Sequence, residues 1–338
     1  MSRAPRRVNP QPGWLWASLV IVGFVVHSAG AAIPSPAGVL TSQSGQFLVS
    51  QPWKSRLPAD LTALSTNAGY LRVEPALLVV SCERIRQRLA QELGGLPAPR
   101  DRVHVTIVPA RAPADPLTLL ADRLPAGWKY RLAVPEVVQR QRLLAGLIQV
   151  ILLEIANQGS AELSTDLPAW LPIGLAGRLD ALAGEELLFV PPASDGPLAV
   201  RRTILDQKRY APLAPVQTVL QEQGPLTWQE LCWPGVSGNP DTESERYRAS
   251  AQLLVHGLLR LPAGSTRLVQ FITHRAHFLN WQTAFLAAFT PEFSRLLDVE
   301  KWWAVQVACW TRGSPSELEA RADAWARLQE AIQIAVEI

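Results

Sequence analysis

Several motifs are missing from this chain of 338 residues. It has no G-x-x-x-x-G-K-[S/T] loop, no G-x-G-x-x-G turn and no paired-cysteine zinc signature, which leaves out the phosphate and zinc sites those motifs build. A serine-hydrolase elbow is missing too. "PGVSGN" (234–239) puts a serine between glycines, but Asn239 stands where the second motif glycine belongs and no strand precedes it. Cysteine is scarce, with only Cys82, Cys232 and Cys309, and three at irregular spacing do not form a disulfide framework. A Cys232–Cys309 bridge in an exported chain and three free buried thiols both stay open. Lysine is rare, at 4 against 28 arginines. That imbalance reads as compositional bias and carries no nucleic-acid signal. Internal repeats and low-complexity tracts are absent as well.

What is present is an apolar, globular composition, 48% hydrophobic and 18% charged, enough for a sizeable core. With 28 prolines, many short elements with rigid connections are expected. Residues 1–32 read as a targeting segment. Arg3, Arg6 and Arg7 form a basic start, Trp14 to Val26 is apolar, and Ala29-Gly30-Ala31 offers a small-x-small cleavage site. The expected location is therefore the periplasm or cell envelope after cleavage. An uncleaved N-terminal membrane anchor is the alternative, although the apolar run is short for a span. The segment carries three arginines and no acid, so the net charge of +3 falls to 0 without it. Nothing then points to nucleic acid or another polyanion as partner.

The pattern predicts an α+β fold, with a small N-terminal sheet followed by a mostly helical lobe. Residues 33–44 read as a linker, and 45–135 as a sheet subdomain with strands at 45–50, 74–80, 102–109 and 127–135. Ser81 is the expected N-cap of a helix over 82–93, which places Cys82 at a strand-to-helix junction and ends at Gly94-Gly95. Residues 136–312 form a helical subdomain that opens with an almost entirely apolar helix over 137–157, a pattern typical of a buried helix. A second helix begins at "PAWLPIGLAGRLDAL". Residues 184–243 are proline-rich and irregular, with a short helical piece near 215–222. Further helices are expected at 245–260, 265–275, 281–288 and 293–310. A last amphipathic helix covers 316–335, within 313–338.

One stretch carries the functional reading: "VILLEIANQGSAELSTDLPAWLPIGLAG" (150–177). Leu167-Pro168-Ala169-Trp170-Leu171-Pro172-Ile173-Gly174-Leu175-Ala176 resembles, at nine of ten places, the phrase L-P-x-W-L-x-E-G-L-A. That phrase opens the second helix in many bacterial gluzincins, the thermolysin-like (peptidase MA-like) metallopeptidases. The preceding helix then holds Leu153-Glu154-Ile155-Ala156-Asn157 where those enzymes hold H-E-x-x-H. Residues 246–289 resemble the region that follows in this group, and the likeness spans about residues 65–290.

The chemistry of the motif shows what has changed. Residues at i and i+4 share a helix face, so two histidines there can hold one zinc, and a glutamate from the second helix completes the protein ligands. The metal acidifies a bound water, and the glutamate after the first histidine takes its proton. The resemblance maps the ligands onto Leu153, Asn157 and Ile173. Leucine and isoleucine have no lone pairs to donate, and an asparagine amide is a poor substitute for imidazole. Only Glu154, at the general-base position, is retained. The resemblance therefore implies a catalytically inactive scaffold with no metal and no cofactor. Its old cleft, flanked by Trp170 and Gly174, would bind a peptide or an envelope protein. A generic pair of packed helices would treat Trp170 as a core aromatic and Gly174 as a close-approach site. Glu154 would then be a buried carboxyl bonded to the backbone or an arginine.

Two alternatives remain open at this point. In one, a zinc site is rebuilt from Glu154 with His256, His274 or His277. No acidic residue lies between 251 and 290 to help, and His274 and His277 read first as a solvated pair. In the other, the chain is a purely structural envelope protein. His104 reads as a structural strand residue. Arg201-Arg202 and Lys208-Arg209 read as a solvated basic cluster, and Trp302, Trp303 and Trp310 as packing for a late helix.

Overall fold

The computed structural model describes residues 38–312, except 55–56, 65–66, 68, 161–163, 189–212 and 237–240. The expected targeting segment, the basic cluster at 201–209, the Ser237 turn and the last helix (316–335) lie outside the described residues. Among those described, no helix is long and apolar enough to cross a membrane.

The fold is α+β. Its main sheet has five strands, β1 (Leu40–Thr41), β2 (Phe47–Ser50), β4 (Val103–Val108), β5 (Thr118–Leu124) and β6 (Gly127–Pro135), in the order β1-β2-β4-β6-β5. The inner pairs, β2 with β4 and β4 with β6, are parallel. Both outer pairs are antiparallel. A two-stranded ribbon joins β3 (Tyr70–Arg72) to β7 (Val137–Gln139). In β4 the alternation is strict: Val103, Val105 and Ile107 are buried, while His104 and Thr106 take the other face. Burial and the nearby Lys129, Arg102 and Arg131 charges lower the His104 pKa, so this imidazole favours its neutral form.

Helices α1 (Ala59–Leu64), α2 (Pro75–Glu92), α3 (Arg140–Asn157) and α4 (Trp170–Leu187) lead into the helical part. It continues with α5 (Ala214–Gln223), α6 (Trp228–Cys232), α7 (Glu245–Leu259), α8 (Gly264–His274), α9 (Trp281–Ala288) and α10 (Leu296–Arg312). One hydrophobic core runs from Phe47 and Val105 on the sheet through Leu147 and Ile151 on α3 to Trp170 and Phe285 among the helices.

Four expectations need correction. The strand expected at 74–80 is the start of α2. Pro75 stands at the first helical position, where its missing N–H costs nothing, and Leu78, Cys82, Ile85 and Leu89 repeat at spacings of 4, 3 and 4. Ser81 is therefore mid-helix and not a cap, and its hydroxyl donates back to Leu77 O at 2.8 Å. Cys82 is buried in the helix interior and lies at no junction. The linker expected over 33–44 contains β1, the first strand of the sheet. Of the two cysteine readings left open, the Cys232–Cys309 bridge is not formed; all three thiols are free, but only Cys82 is buried, with Cys232 half-buried and Cys309 exposed. The irregular stretch 184–243 also holds the short helix α6, which Thr227 closes with a reciprocal capping box to Glu230.

Candidate functional site

The helix pair α3–α4 is present, and its local sequence explains why. Pro168 and Pro172 flank the start of α4. Pro172 sits in the first turn, where no intrahelical donor is needed, and Leu171 N bonds back to Pro168 O at 3.0 Å. Trp170 is fully buried in an aromatic cluster, with ring centroids 6.0–6.5 Å from Trp228, Phe271, Trp281 and Phe285. Gly174 is the crossing point with α7. A Cβ there would lie 2.3 Å from Ala251 O and 2.6 Å from Val255 Cγ2. Neither residue lines a cleft, so both are corrected from binding positions to packing positions.

Glu154 is wholly buried and faces the loop that leads into β4. Its Oε1 accepts from Arg100 N at 2.9 Å, from Gln158 Nε2 at 3.0 Å and from Asp101 N at 3.4 Å. Arg86 lies close enough for its charge to act on Glu154. Burial lowers the Arg86 pKa, and the Glu154 and Glu83 carboxylates work against that shift. Asp101 continues the arrangement. Its Oδ1 accepts from Trp128 N at 3.2 Å, and it would lie 2.5 Å from a Cβ at residue 127. Gly127, at φ +137°, is thus held to glycine on two counts.

Asn157 is equally occupied. Its Oδ1 accepts from Thr165 N and Thr165 Oγ1, both at 2.8 Å, and its Nδ2 donates to Ser164 Oγ at 3.2 Å. The amide pins the loop that leads into α4. Beside it lies the Tyr130 hydroxyl, whose pKa is raised chiefly by burial and eased by Asn157. The buried Arg275 holds the same loop, donating to Asp166 O at 3.0 Å and to Phe278 O at 2.7 Å and pairing with the Asp166 carboxylate.

The ligand positions separate accordingly. Glu154 and Asn157 serve two loops through backbone and side-chain bonds. Leu153 packs half-buried on the core, and Ile173 alone lines a groove. The four do not form one open cleft, as the mapping had implied. The histidines do not rebuild a site either. His256, on α7, is buried against Trp310 and takes Arg178 Nη1 at 2.8 Å on its Nδ1. Burial and the Arg178 charge push its pKa down to about 3. His274 and His277 are exposed, with ring centroids 6.1 Å apart. Among the described residues, no group of three or more His, Cys, Asp or Glu side chains is placed to hold a metal.

The groove itself, about 380 Å³, runs between α3, α4 and α7. Gly146 on α3 lies under Leu117, and Gly177 on α4 lies under the Gln252 amide, so the two glycines let these side chains pack into the groove wall. Arg142 stands at its rim, donating to Asp115 O at 3.0 Å and pairing with Glu243. Gln149 and Gln252 contribute amides. Pro116 and Leu117 lead directly into β5, which among the described residues pairs only with β6. No local pattern marks Arg142 or Gln252, because their partners are far away along the chain. No family model and no curated protein matches the chain.

Proposed function

We propose that this is an exported, non-catalytic binding protein on a gluzincin-like scaffold, with the α3–α4–α7 groove as its binding site for an extended peptide segment. One observation carries the non-catalytic part. Glu154, the retained general-base position, is fully buried and accepts the backbone N–H groups of Arg100 and Asp101. A base must reach the proton it removes, and this carboxyl group is turned away from solvent and from the groove. The order of a mixed sheet, the buried helix α3 and the L-P-x-W-L phrase supports the scaffold. The basic and apolar residues of 1–32 support export.

The choice of ligand follows from the groove's rim. β5 is an edge strand with one side of its backbone unpaired among the described residues, and an extended peptide can add to such an edge. Its side chains would drop beside Ile173, Ala176 and Val216, with the Gln149 and Gln252 amides available to its backbone. The test is to pan a displayed peptide library on the purified protein and on a Gln149→Trp variant. Residue 149 is exposed, so the indole narrows the groove without entering the core. Peptides that bind the parent and lose about tenfold or more in affinity for the variant are expected. Failure to enrich any peptide, or equal binding to the variant, would overturn the assignment.

A further inference from the structure

A second site stands apart from the groove and shares no lining residue with it. Two open cavities, of about 480 and 600 Å³, meet at Trp228, Gln229 and Glu300. The first lies between α6 and α10, walled by Leu226, Trp303 and Val307. The second reaches toward α9 and is walled by Trp233, Leu286 and Leu296. Glu300 is the single formal charge lining either cavity. Among the described residues it has neither a salt-bridge nor a hydrogen-bond partner. Arg246 and Arg295 line neither cavity and are engaged elsewhere. Arg246 donates to Gly224 O and Pro225 O, and Arg295 pairs with Asp298. The Glu300 charge does reach the Cys232 thiol, which burial first and Glu300 second push up to about 12.

The walls narrow the choice of ligand. Trp303 Nε1 is satisfied by Leu226 O at 2.8 Å, and Trp228 packs edge-on to Trp281 at 5.9 Å. The Trp303 N–H is therefore taken up, and the indole faces share the cavity walls with the neutral Gln229, Asn280 and Gln282 amides. An anion would be repelled by Glu300, and a neutral apolar ligand would bury that carboxylate without a partner. A hard metal cation needs several oxygen ligands, and one carboxylate is too few. A single positive charge on an apolar body satisfies both features, since indole is the best aromatic partner for such a cation. We propose that the two adjoining cavities bind an organic cation, an alkylammonium group with an apolar body, with Glu300 as counter-charge and Trp228, Trp233 and Trp303 as walls.

The ammonium can come from a small quaternary amine or from a lysine-like side chain. The test titrates the full chain with benzyltrimethylammonium and, separately, with n-hexylammonium, read by calorimetry. Saturable one-site binding of at least one probe is expected, and the stronger probe identifies the source. Glu300→Gln is expected to weaken it about tenfold or more. Trp233→Ala, at a side chain 56% exposed and outside the core, provides a second variant that keeps the fold and is also expected to weaken binding. No binding of either probe, or affinities unchanged in both variants, would overturn the proposal.

Discussion

Replacing Glu154 by alanine distinguishes a structural carboxyl group from a catalytic one. In the parent, one oxygen accepts three N–H donors, two of them backbone groups of the loop leading into β4. Alanine leaves Arg100 N and Asp101 N, both in part-buried bonds, without that partner. Arg86, half-buried, also loses a nearby opposite charge. Hydrogen bonds to a charged group are worth about 1.5–3 kcal/mol each, so losing this set costs about 3–5 kcal/mol in total. At roughly 2 °C per kcal/mol for a domain of this size, Tm falls by about 6–10 °C. Glu154→Gln keeps an acceptor at the same place and is expected to lose about half as much or less. Differential scanning calorimetry of the full chain and both variants reads this directly. A Tm that stays level or rises in Glu154→Ala would refute the reasoning, because a spare carboxyl group relieved of its burial cost stabilises the fold when removed.

Gly174→Ala is expected to destabilise the chain by about 1–3 kcal/mol, because its Cβ would meet the backbone of α7 at Ala251 O; denaturant midpoints measure this, and an unchanged midpoint would contradict the crossing described here. Titration with a thiol reagent should find one fast thiol, Cys309, in the native chain and three after unfolding without reductant, whereas a single thiol in the unfolded chain would restore the Cys232–Cys309 bridge. His256 has its folded pKa depressed to about 3, so the unfolded chain binds the proton first as pH falls below about 6.5. Its contribution is intact above pH 6.5 and declines toward pH 3, by about 2 kcal/mol at pH 5. A Tm that falls between pH 7 and 5 less steeply in His256→Gln than in the parent supports this, and parallel profiles count against it.

The helical part was largely legible because its signals are local. The apolar run of α3, the paired prolines before α4 and the helix α9, found at the expected 281–288, all follow from spacing within one or two turns. The sheet was harder. β6 was found at its full extent, 127–135, because Trp128, Tyr130, Leu132 and Val134 alternate inward. β5 went unseen because an edge strand with Thr118, Asp122 and Arg123 shows no apolar alternation. The start of α2 was misread because "ALLVV" is rich in strand-forming residues, and only the contacts of Leu78 and Cys82 with the core decide for helix.

The candidate site shows the same division. That Leu153 and Ile173 cannot ligate a metal and that Asn157 ligates poorly is plain from residue types. Where Glu154 points is not, because its backbone partners stand 53 and 54 residues away, beyond the reach of any helical pattern. The same holds for Arg275, which reaches Asp166 across 109 residues.

The central claim of the proposed reading is that the opening of α4 and the end of α3 do not form a metal site. Elemental mass spectrometry of the purified full chain, dialysed against trace zinc, tests it most directly. The account predicts a stoichiometry near zero. A stoichiometry near one zinc per chain would contradict it, and would reopen the alternative in which Glu154 and the three downstream histidines rebuild a zinc site.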